Sequence, residues 1–258
     1  MKLGRHPRHV ISKWKKNKAL LQNKELKPYL PELRMFNRAN LLNMLKKHKM
    51  VYVKPVNGSM GKGVMRVELK PPASSAPYRY QLETKARSFN TFDELYASIQ
   101  RYKRKGDYLV QQGIHLLTYQ NRTFDLRVMV QKTPQKVWKT TGYIGRLAHP
   151  QKIVTNYHSN GTLVPAEKLL SPHVKGPKVK SYCRNLQNIG EDVANHLHKV
   201  FPGIREIGAD IAIDHKLRPW ILEVNTSPDP FIFRKLKDKN VFRTVIRYSR
   251  ANGRFQHK

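Results

Sequence analysis

Three oxygen-bearing side chains near the carboxyl end of the sequence have the types and spacing of a divalent-cation site. Asp210 and Glu223 each interrupt an apolar run that predicts a β-strand, and Asn225 stands two positions after Glu223. The runs, Ile207 to Ile213 and Pro219 to Val224, are joined by a short polar connection that is typical of a hairpin. Because alternate residues of a strand share a face, Glu223 and Asn225 should point the same way. A buried carboxylate requires a cation beside it, so the pattern predicts either a Mg²⁺ site or a structural ion pair.

A glycine-containing loop upstream has the composition to hold phosphate groups. It follows a short β-branched run that contains Lys54, and its glycines allow backbone N–H groups to approach phosphate oxygens. The spacing is not that of a Walker A motif, because Gly63 follows Lys62 where Ser or Thr is needed. By itself the loop is better explained as an ordinary hairpin turn, but the cation of Lys54 shifts the interpretation towards phosphate binding. The candidate phosphate-binding residues are Lys54, Gly58, Ser59, Gly61, Lys62 and Gly63.

Two arginines lie between these motifs. Arg127 and Arg146 suit phosphoryl transfer, because a guanidinium binds two oxygens at once and keeps its charge throughout a reaction. In so basic a chain, a surface position explains any single arginine more readily. Asp125 and Arg127 share one face of a predicted strand, which predicts that Asp125 orients Arg127.

Composition limits the class of protein. The chain has 258 residues with 39% apolar content, which is enough for a core in one domain or in two packed lobes. Its 50 Lys and Arg exceed its 17 Asp and Glu, and the formal net charge of +33 must attract polyanions. No recognition motif or interleaved aromatic platform accompanies this charge. A nucleic-acid binder remains an alternative, and its binding should then be nonspecific and strongly salt-dependent.

Cysteine usage and hydropathy indicate the compartment. Cys183 is the only cysteine, so no intrachain disulfide can form and a reducing compartment fits best. The start of the chain has no apolar signal region, and no stretch approaches the ~18 apolar residues of a membrane span. We therefore expect a cytoplasmic protein with no membrane span. Because no recognition motif accompanies the positive charge, we also expect no specific nucleic-acid recognition.

Hydrophobic periodicity predicts mixed helices and strands, and therefore an α+β fold. Helices are expected near Trp14 and at 37–48, 91–102 and 186–200, the third with a capping box formed by Thr91 and Glu94. Strands are expected at 51–54, 64–69, 78–83, 108–111, 124–131, 137–147, 207–213 and 219–224.

Taken in order, these motifs resemble those of the ATP-grasp superfamily, and most closely its endospore coat-associated YheC/YheD-type family. The resemblance extends from about Ile11 to about Arg234, and several motifs in the right order are far more specific than one. The segments that carry it are 26–31, 51–55, 58–63, 111–114, 124–127, 155–156 and 223–225.

The resemblance implies two α+β lobes that enclose ATP, with the glycine loop over the phosphates and Lys54 in contact with them. Lys13 is a further candidate for the phosphate site by approximate spacing only. The remaining implied roles are adenine contact by the backbone at Gln111, Gln112, Gly113 and Ile114, phosphate contact by Asn156, contact with the transferred phosphoryl group by Arg127 and Arg146, and Mg²⁺ ligation by Asp210, Glu223 and Asn225, with Mn²⁺ as another candidate ion.

The resemblance also implies a domain organisation. We expect a basic, mostly helical segment at 1–50, an ATP-grasp domain at 51–234 and a basic tail at 235–258. The ATP-grasp domain should divide into a glycine-loop lobe at about 51–110 and a metal-binding lobe at about 111–234. Only about fifty residues precede Lys54, so a full N-terminal pre-ATP domain should be lacking. Gln111 and Gln112 stand where many such ligases have a carboxylate that holds ribose.

The implied function is an ATP-dependent carboxylate–amine ligase, peptide-forming and acting through an acylphosphate, associated with the spore coat or with sporulation. An acidic small molecule or peptide would be the substrate, and association with the coat or a wall polymer would follow. The alternative is a spore-associated scaffold that keeps the fold without ligase turnover. The short front end favours the scaffold, whereas the buried charges oppose it because they are costly to retain.

Overall fold

The computed structural model describes residues 7–71, 74–155 and 160–255. The chain forms two compact units. The glycine-loop unit comprises residues 31–115 and 148–160, and the carboxylate unit comprises residues 1–30, 116–147 and 161–258. Each unit has its own antiparallel sheet, so each supports its candidate residues on a separate framework.

The described ranges contain six α-helices and twelve strands. The helices are α1 (Lys13–Leu20), α2 (Arg38–His48), α3 (Phe92–Tyr102), α4 (Ala166–Leu170), α5 (Lys178–Val200) and α6 (Lys239–Ala251). The strands are β1 (Leu33–Met35), β2 (Met50–Pro55), β3 (Met65–Leu69), β4 (Tyr78–Leu82), β5 (Lys85–Phe89), β6 (Tyr108–Gln112), β7 (Thr118–Tyr119), β8 (Arg122–Lys132), β9 (Trp138–Leu147), β10 (Thr162–Val164), β11 (Glu206–Ile213) and β12 (Pro219–Asn225). Within the same ranges, 3₁₀ turns occupy Lys27–Tyr29 and Phe231–Lys235.

The glycine-loop unit has a six-stranded sheet in the order β1-β6-β2-β3-β4-β5. The predicted hairpin is confirmed, because β2 pairs antiparallel with β3 on the two sides of the glycine loop. The core of the unit is formed by apolar side chains of the sheet and of helices α2 and α3. Helix α3 begins at the predicted capping box, in which Thr91 accepts from the backbone of Glu94 while the Glu94 carboxylate accepts from that of Thr91.

The carboxylate unit has a sheet in the order β10-β9-β8-β11-β12, with β7 paired to β8. Successive side chains of β8 point to the two opposite faces of this sheet. Phe124 and Leu126 belong to the large core that includes α5, and a Cβ at Gly190 of α5 would stand 2.8 Å from Val128 Cγ1. The intervening Asp125 and Arg127 point to the opposite face, as the period of a strand requires. The apolar alternation therefore selects which face carries the charged side chains.

The opposite face is partly covered by the C-terminal segment. Met129 of β8 and Ile144 of β9 form a small core with Phe233 of the 3₁₀ turn and Val245 of α6. This segment was expected as a basic tail, and it forms a helix because its apolar residues recur with helical spacing. Farther along the same face, beyond this small core, lie the charged residues of β8 and β9.

The predicted strands of both units are confirmed to within a few residues of their ends. Helix α5 begins earlier than the predicted 186–200, because Val179 and Cys183 extend its buried face upstream to Lys178. Within the described residues, no helix is long and apolar enough to cross a membrane.

Candidate functional site

Four charged side chains form a row on one face of the sheet in the carboxylate unit. Arg146 of β9 stands opposite Asp125 of β8, and Arg127 of β8 stands opposite Asp210 of β11. All four residues are buried. The row thus depends on the register of three neighbouring strands, which places residues far apart in sequence beside one another.

Each arginine makes a two-bond contact with a carboxylate. Arg146 donates from Nε to Asp125 Oδ1 at 2.8 Å and from Nη2 to Asp125 Oδ2 at 2.6 Å. Arg127 donates from Nε to Asp210 Oδ1 at 2.5 Å and from Nη2 to Asp210 Oδ2 at 3.2 Å. Arg146 Nη2 also lies 2.9 Å from Asp210 Oδ2 and links the two pairs. The expectation that Asp125 orients Arg127 needs correction, because the cross-strand register gives Arg127 the two-bond contact with Asp210 and gives Asp125 that with Arg146.

The charges of the row support one another electrostatically. Burial tends to raise the pKa of Asp210, but the guanidinium groups of Arg127 and Arg146 outweigh it and lower that pKa. Burial opposes the charged form of Arg146, yet Asp125 and Asp210 raise its pKa above the usual range. Both shifts favour the charged forms, the carboxylate of Asp210 and the guanidinium of Arg146.

The predicted metal ligands lie together on two paired strands. Glu223 of β12 stands opposite Asp210 of β11, and Asn225 stands opposite Gly208. Glu223 and Asn225 are half-buried, and Asn225 Oδ1 accepts from the backbone N–H of Ser227 at 2.9 Å. For Asp210 the structure shows the ion-pair arrangement that the sequence left open, and Mg²⁺ ligation by Asp210, Glu223 and Asn225 stays a prediction. Among the described residues, no three His, Cys, Asp or Glu side chains cluster as a metal-binding set, so the candidate set depends on the Asn225 amide.

The glycine at position 208 is required by packing beside Arg127. A Cβ at this position would stand 2.8 Å from Pro228 Cβ and 3.0 Å from Arg127 Cδ. The turn after β12 therefore packs directly against the β11 backbone and the stem of Arg127. Any larger side chain at Gly208 would displace one of them.

The docking of the N-terminal segment beside β12 involves two residues, Lys13 and Thr226, to which the sequence gave little or no weight. Lys13 of α1 is buried, and its Nζ lies 3.3 Å from Glu223 Oε1. Thr226 is also buried, and its Oγ1 accepts from the backbone N–H of Val10 at 2.9 Å. Approximate spacing was the only signal for Lys13, and the sequence carries none for Thr226, because 216 residues separate it from Val10.

The glycine loop of the other unit has the backbone that its glycines allow. Positive φ angles occur at Gly58 (148°), Gly61 (71°) and Gly63 (74°), which are conformations that favour glycine. Lys54 is buried on β2 at the entry to the loop, whereas Ser59 and Lys62 are exposed on it. The loop thus presents backbone groups, the Ser59 hydroxyl and the Lys62 cation together with the exposed Met60 side chain, and phosphate binding by this loop stays a prediction.

The segment predicted to contact adenine is tied closely to the sheet. The backbone N–H of Gln112 donates to Glu32 O at 2.8 Å, and that of Gly113 donates to Met50 O at 2.9 Å. A Cβ at Gly113 would stand 2.6 Å from the same Met50 oxygen, so this position requires glycine. Because both donors are already used, any adenine contact falls to other groups of this segment, which also includes the buried Gln111 and Ile114. Asn156, predicted near the phosphates, lies outside the described residues.

Two antiparallel sheets with these helices form the ATP-grasp fold. Over 93% of its length the chain matches N5-carboxyaminoimidazole ribonucleotide synthetase from Thermotoga maritima, with a TM-score of 0.52, 12% identity and 48% of that chain covered. The Aspergillus clavatus N5-carboxyaminoimidazole synthase in complex with ADP matches with a TM-score of 0.57, 9% identity and 93% and 51% of the two chains covered. At this identity the likeness shows the fold alone.

The family is more specific than the fold. The YheC/D-like ATP-grasp model matches residues 6–251, and the chain belongs to this family. It is 25% identical to the endospore coat-associated protein YheD of Bacillus subtilis over 230 residues, which are 86% of this chain and 49% of YheD. It is 22% identical to the endospore coat-associated protein YheC of the same organism over 222 residues, 86% of this chain and 61% of YheC. The chain thus spans about half to three-fifths of these relatives.

Proposed function

We propose that this chain binds ATP with Mg²⁺ and uses it to join a carboxylate to an amine. The observation that carries the proposal is the pairing of Asp210 with Glu223 across β11 and β12, with Asn225 on the same face and two buried arginines alongside. Carboxylate and amide oxygens are ligands that Mg²⁺ prefers, and guanidinium groups bind phosphoryl oxygens. Membership of the ATP-grasp family supports the nucleotide assignment.

The ligand set fits a magnesium ion chemically. Glu223 and Asn225 are half-buried, so each keeps an exposed part on the charged face of the sheet. Asp210 is held by two arginines, but a carboxylate has about four acceptor sites and can hold guanidinium groups while giving an oxygen to a cation. When bound, Mg²⁺ would neutralise the phosphate oxygens of ATP. Lys13, beside Glu223, would balance the negative charge of the ligands.

The reaction follows from the superfamily chemistry and needs no protein nucleophile. A substrate carboxylate oxygen attacks the γ-phosphorus of ATP, the bond from that phosphorus to the bridging oxygen breaks, and ADP leaves. An amine then attacks the acyl carbon, the bond from that carbon to the phosphate oxygen breaks, and the amine loses a proton to give an amide and phosphate. Arg127 and Arg146 stay charged throughout and stabilise the phosphoryl group, while Lys54 and the glycine loop hold the phosphates.

The net charge supports the proposed substrate class, and the two relatives support the proposed location at the spore coat. The net charge of +33 favours an acidic small molecule or peptide as the carboxylate substrate. The two relatives are named as endospore coat-associated, which supports a role at the spore coat for this chain.

The first prediction concerns nucleotide binding. Glu223→Gln removes a metal-ligand charge and Lys54→Ala removes a phosphate-binding cation, so each should weaken MgATP binding by about tenfold or more, equivalent to ~1.4 kcal/mol. Titration calorimetry with and without Mg²⁺ measures the change. Glu25→Gln and Lys46→Ala make the same substitutions at exposed positions and should bind like the parent chain. A parent chain whose calorimetry and thermal midpoint do not respond to MgATP would refute the proposal.

A second candidate function is a nucleotide-binding scaffold without turnover. It is favoured by the ion pairs of Asp210, which neutralise this carboxylate without any metal. Phosphate release in the presence of MgATP and a panel of acidic amino acids and peptides separates the two functions. Release above the ATP-only rate supports the ligase, and intact MgATP binding with no release across the panel supports the scaffold.

A further inference from the structure

The C-terminal part of the carboxylate unit carries a surface that combines exposed cations with wholly or partly exposed aromatic rings. Seven exposed Lys and Arg side chains occur in residues 234–250, against the single carboxylate of Asp238, which caps α6. Among the described residues, no ion pair joins any of the seven to a carboxylate. We call this set, together with three phenylalanines, the C-terminal surface: Arg234, Lys235, Lys237, Lys239, Arg243, Arg247, Arg250, Phe231, Phe242 and Phe255.

The cations form a stripe along α6. Lys239, Arg243 and Arg247 are spaced by four residues and Arg250 by three more, so consecutive members are neighbours with Cβ atoms roughly 5–6 Å apart. Like charges at this spacing destabilise an isolated helix. An anionic partner lying along the stripe would remove this repulsion.

The aromatic rings form a cluster centred on Phe231. Its ring centroid lies 6.3 Å from that of Phe242 and 6.0 Å from that of Phe255. Phe231 is 53% exposed and Phe255 is 38% exposed. The Arg254 guanidinium lies 6.0 Å from the centroid of the Phe255 ring. Sequence reasoning found no aromatic platform because these phenylalanines are at least eleven residues apart in the chain, and folding brings them together.

Buried hydrogen bonds and apolar contacts anchor helix α6 of the C-terminal surface to the sheet of the carboxylate unit. Gln131 Nε2 donates to Glu206 Oε2 and to Ser249 Oγ, both at 2.9 Å, and Gln131 and Ser249 are fully buried. Arg254 Nη1 lies 2.5 Å from Glu206 Oε1 and also donates to the carbonyl oxygen of Pro228. The inner side of α6, which includes the buried Val245 and Ser249, is therefore packed against the sheet.

This anchoring decides which polyanion fits. A membrane-surface helix buries a continuous apolar face in lipid, and the apolar side of α6 is already packed on β8 and β9. An acidic peptide would satisfy the cations but offers no flat ring for every phenylalanine. A single-stranded nucleic acid supplies both phosphates for the cations and base faces for the rings. We propose that the C-terminal surface binds single-stranded nucleic acid without sequence preference.

Fluorescence anisotropy with a dye-labelled oligothymidylate tests this proposal on the full chain. The parent chain should bind the single strand more tightly than a duplex of equal length or a polyglutamate of equal charge. Phe231→Ala leaves the charge unchanged and removes an exposed ring, so it should weaken single-strand binding about fivefold or more and leave polyglutamate binding unchanged.

A second variant tests the cations. Arg243→Gln with Arg247→Gln should weaken binding of both polyanions and reduce the slope of log affinity against log salt by roughly 1.4 for the single strand. The matched control, Arg101→Gln with Arg184→Gln, changes two exposed arginines elsewhere and should have a much smaller effect. Thermal melts establish that every variant is folded.

Two outcomes would overturn the proposal. Equal affinity for oligothymidylate and polyglutamate, insensitive to Phe231→Ala, would show generic charge attraction. Binding to vesicles of phosphatidylglycerol and phosphatidylcholine that depends on Phe231, with no preference for the single strand, would assign the surface to a membrane. Neither outcome depends on MgATP binding, so this proposal and the proposed ligase can fail separately.

Discussion

Arg146 is the residue on which the charged row depends most. It bridges two carboxylates, Asp125 and Asp210, and all three are buried. Such a group is stabilising only while every charge keeps its partner, because an uncompensated buried charge costs far more than the pair contributes. The same arrangement holds the guanidinium groups rigidly on the face proposed to meet phosphate. Local stability and the proposed chemistry therefore depend on the same contacts.

We expect Asp125→Asn to destabilise the chain by about 3 kcal/mol, because it leaves Arg146 with one carboxylate and turns an amide N–H₂ group towards a cation. Urea denaturation followed by circular dichroism measures the change. Asp238→Asn is the matched control at an exposed N-cap, where Asn serves as well as Asp, and should change stability by less than about 0.5 kcal/mol. Similar losses in the two variants would show that the Asp125 pair contributes little.

The lowered pKa of Glu32 predicts that the folding stability of the chain falls at acid pH. Burial tends to raise its pKa, but hydrogen bonds from Lys47, His48 and Arg34 lower it to about 2. A carboxylate whose pKa is lower in the folded than in the unfolded chain stabilises the fold above the unfolded value, and this stability is lost as pH falls from about 4.5 to 2. The contribution should be about 2 kcal/mol after solvent screening of the exposed partners.

Glu32→Gln should remove that part of the acid sensitivity. Free energies of unfolding of the parent and the variant should differ by about 2 kcal/mol at pH 6 and converge towards pH 2. Glu25→Gln, at an exposed position, should track the parent at every pH. A difference between Glu32→Gln and the parent that does not change with pH would contradict the assignment.

At the scale of elements, the fit of α5 on β8 depends on one small residue. Gly190 brings the helix backbone close to the sheet, because a Cβ there would stand 2.8 Å from Val128 Cγ1 and 3.2 Å from Val130 Cγ2. Both neighbours are β-branched and stiff, so neither can turn aside at low cost. Helix propensity alone would favour alanine over glycine at this position.

We therefore expect Gly190→Ala to destabilise the chain by about 1–3 kcal/mol, although alanine gains about 1 kcal/mol in helix propensity. Thermal or urea unfolding measures the net effect. Ser181→Ala, at an exposed position of α5, gives a smaller gain in helix propensity and removes only the exposed hydrogen bond from Ser181 Oγ to Lys178 O, so it should change stability by less than about 0.5 kcal/mol. Stabilisation by Gly190→Ala would show that the helix can move away from the sheet.

Elements with a clear period or a β-branched and aromatic run were predictable, and several short elements without either were not. Helix α3 carries its own start signal, and β11 and β12 are apolar runs bounded by turn residues. Strand β10 has three residues and helix α4 has five, which is too short for a period to stand out. Strand β5 has five residues like the predicted β3, β4 and β6, but it has no β-branched residue and only one aromatic residue. Their formation depends on the neighbouring strand or helix that pairs with them.

At the scale of the whole molecule, the dominant property is the net charge of +33. Like charges repel more strongly in the compact state than in the unfolded chain, so the charge lowers stability while it attracts polyanions. Raising NaCl from 10 to about 200 mM should screen this repulsion and raise the thermal midpoint by ~2–4 °C, equivalent to about 1 kcal/mol. Scanning calorimetry across a salt series measures it. A midpoint that falls with salt would show that surface ion pairs outweigh the repulsion.

Local sequence patterns predicted the positions of the main strands, the acidic residues that interrupt them, the excess of cations and the family resemblance, but they favoured a surface position for arginines such as Arg127 and Arg146, which the structure buries. These properties follow from local composition and hydrophobic periodicity, which are visible in the sequence without the fold. Tertiary structure decided which charges meet. Arg127 and Asp210 are 83 residues apart, and Lys13 meets Glu223 from the other end of the chain. Such partners depend on strand register and on the docking of the two chain ends, which are set by the packing of the whole unit and not by any local pattern.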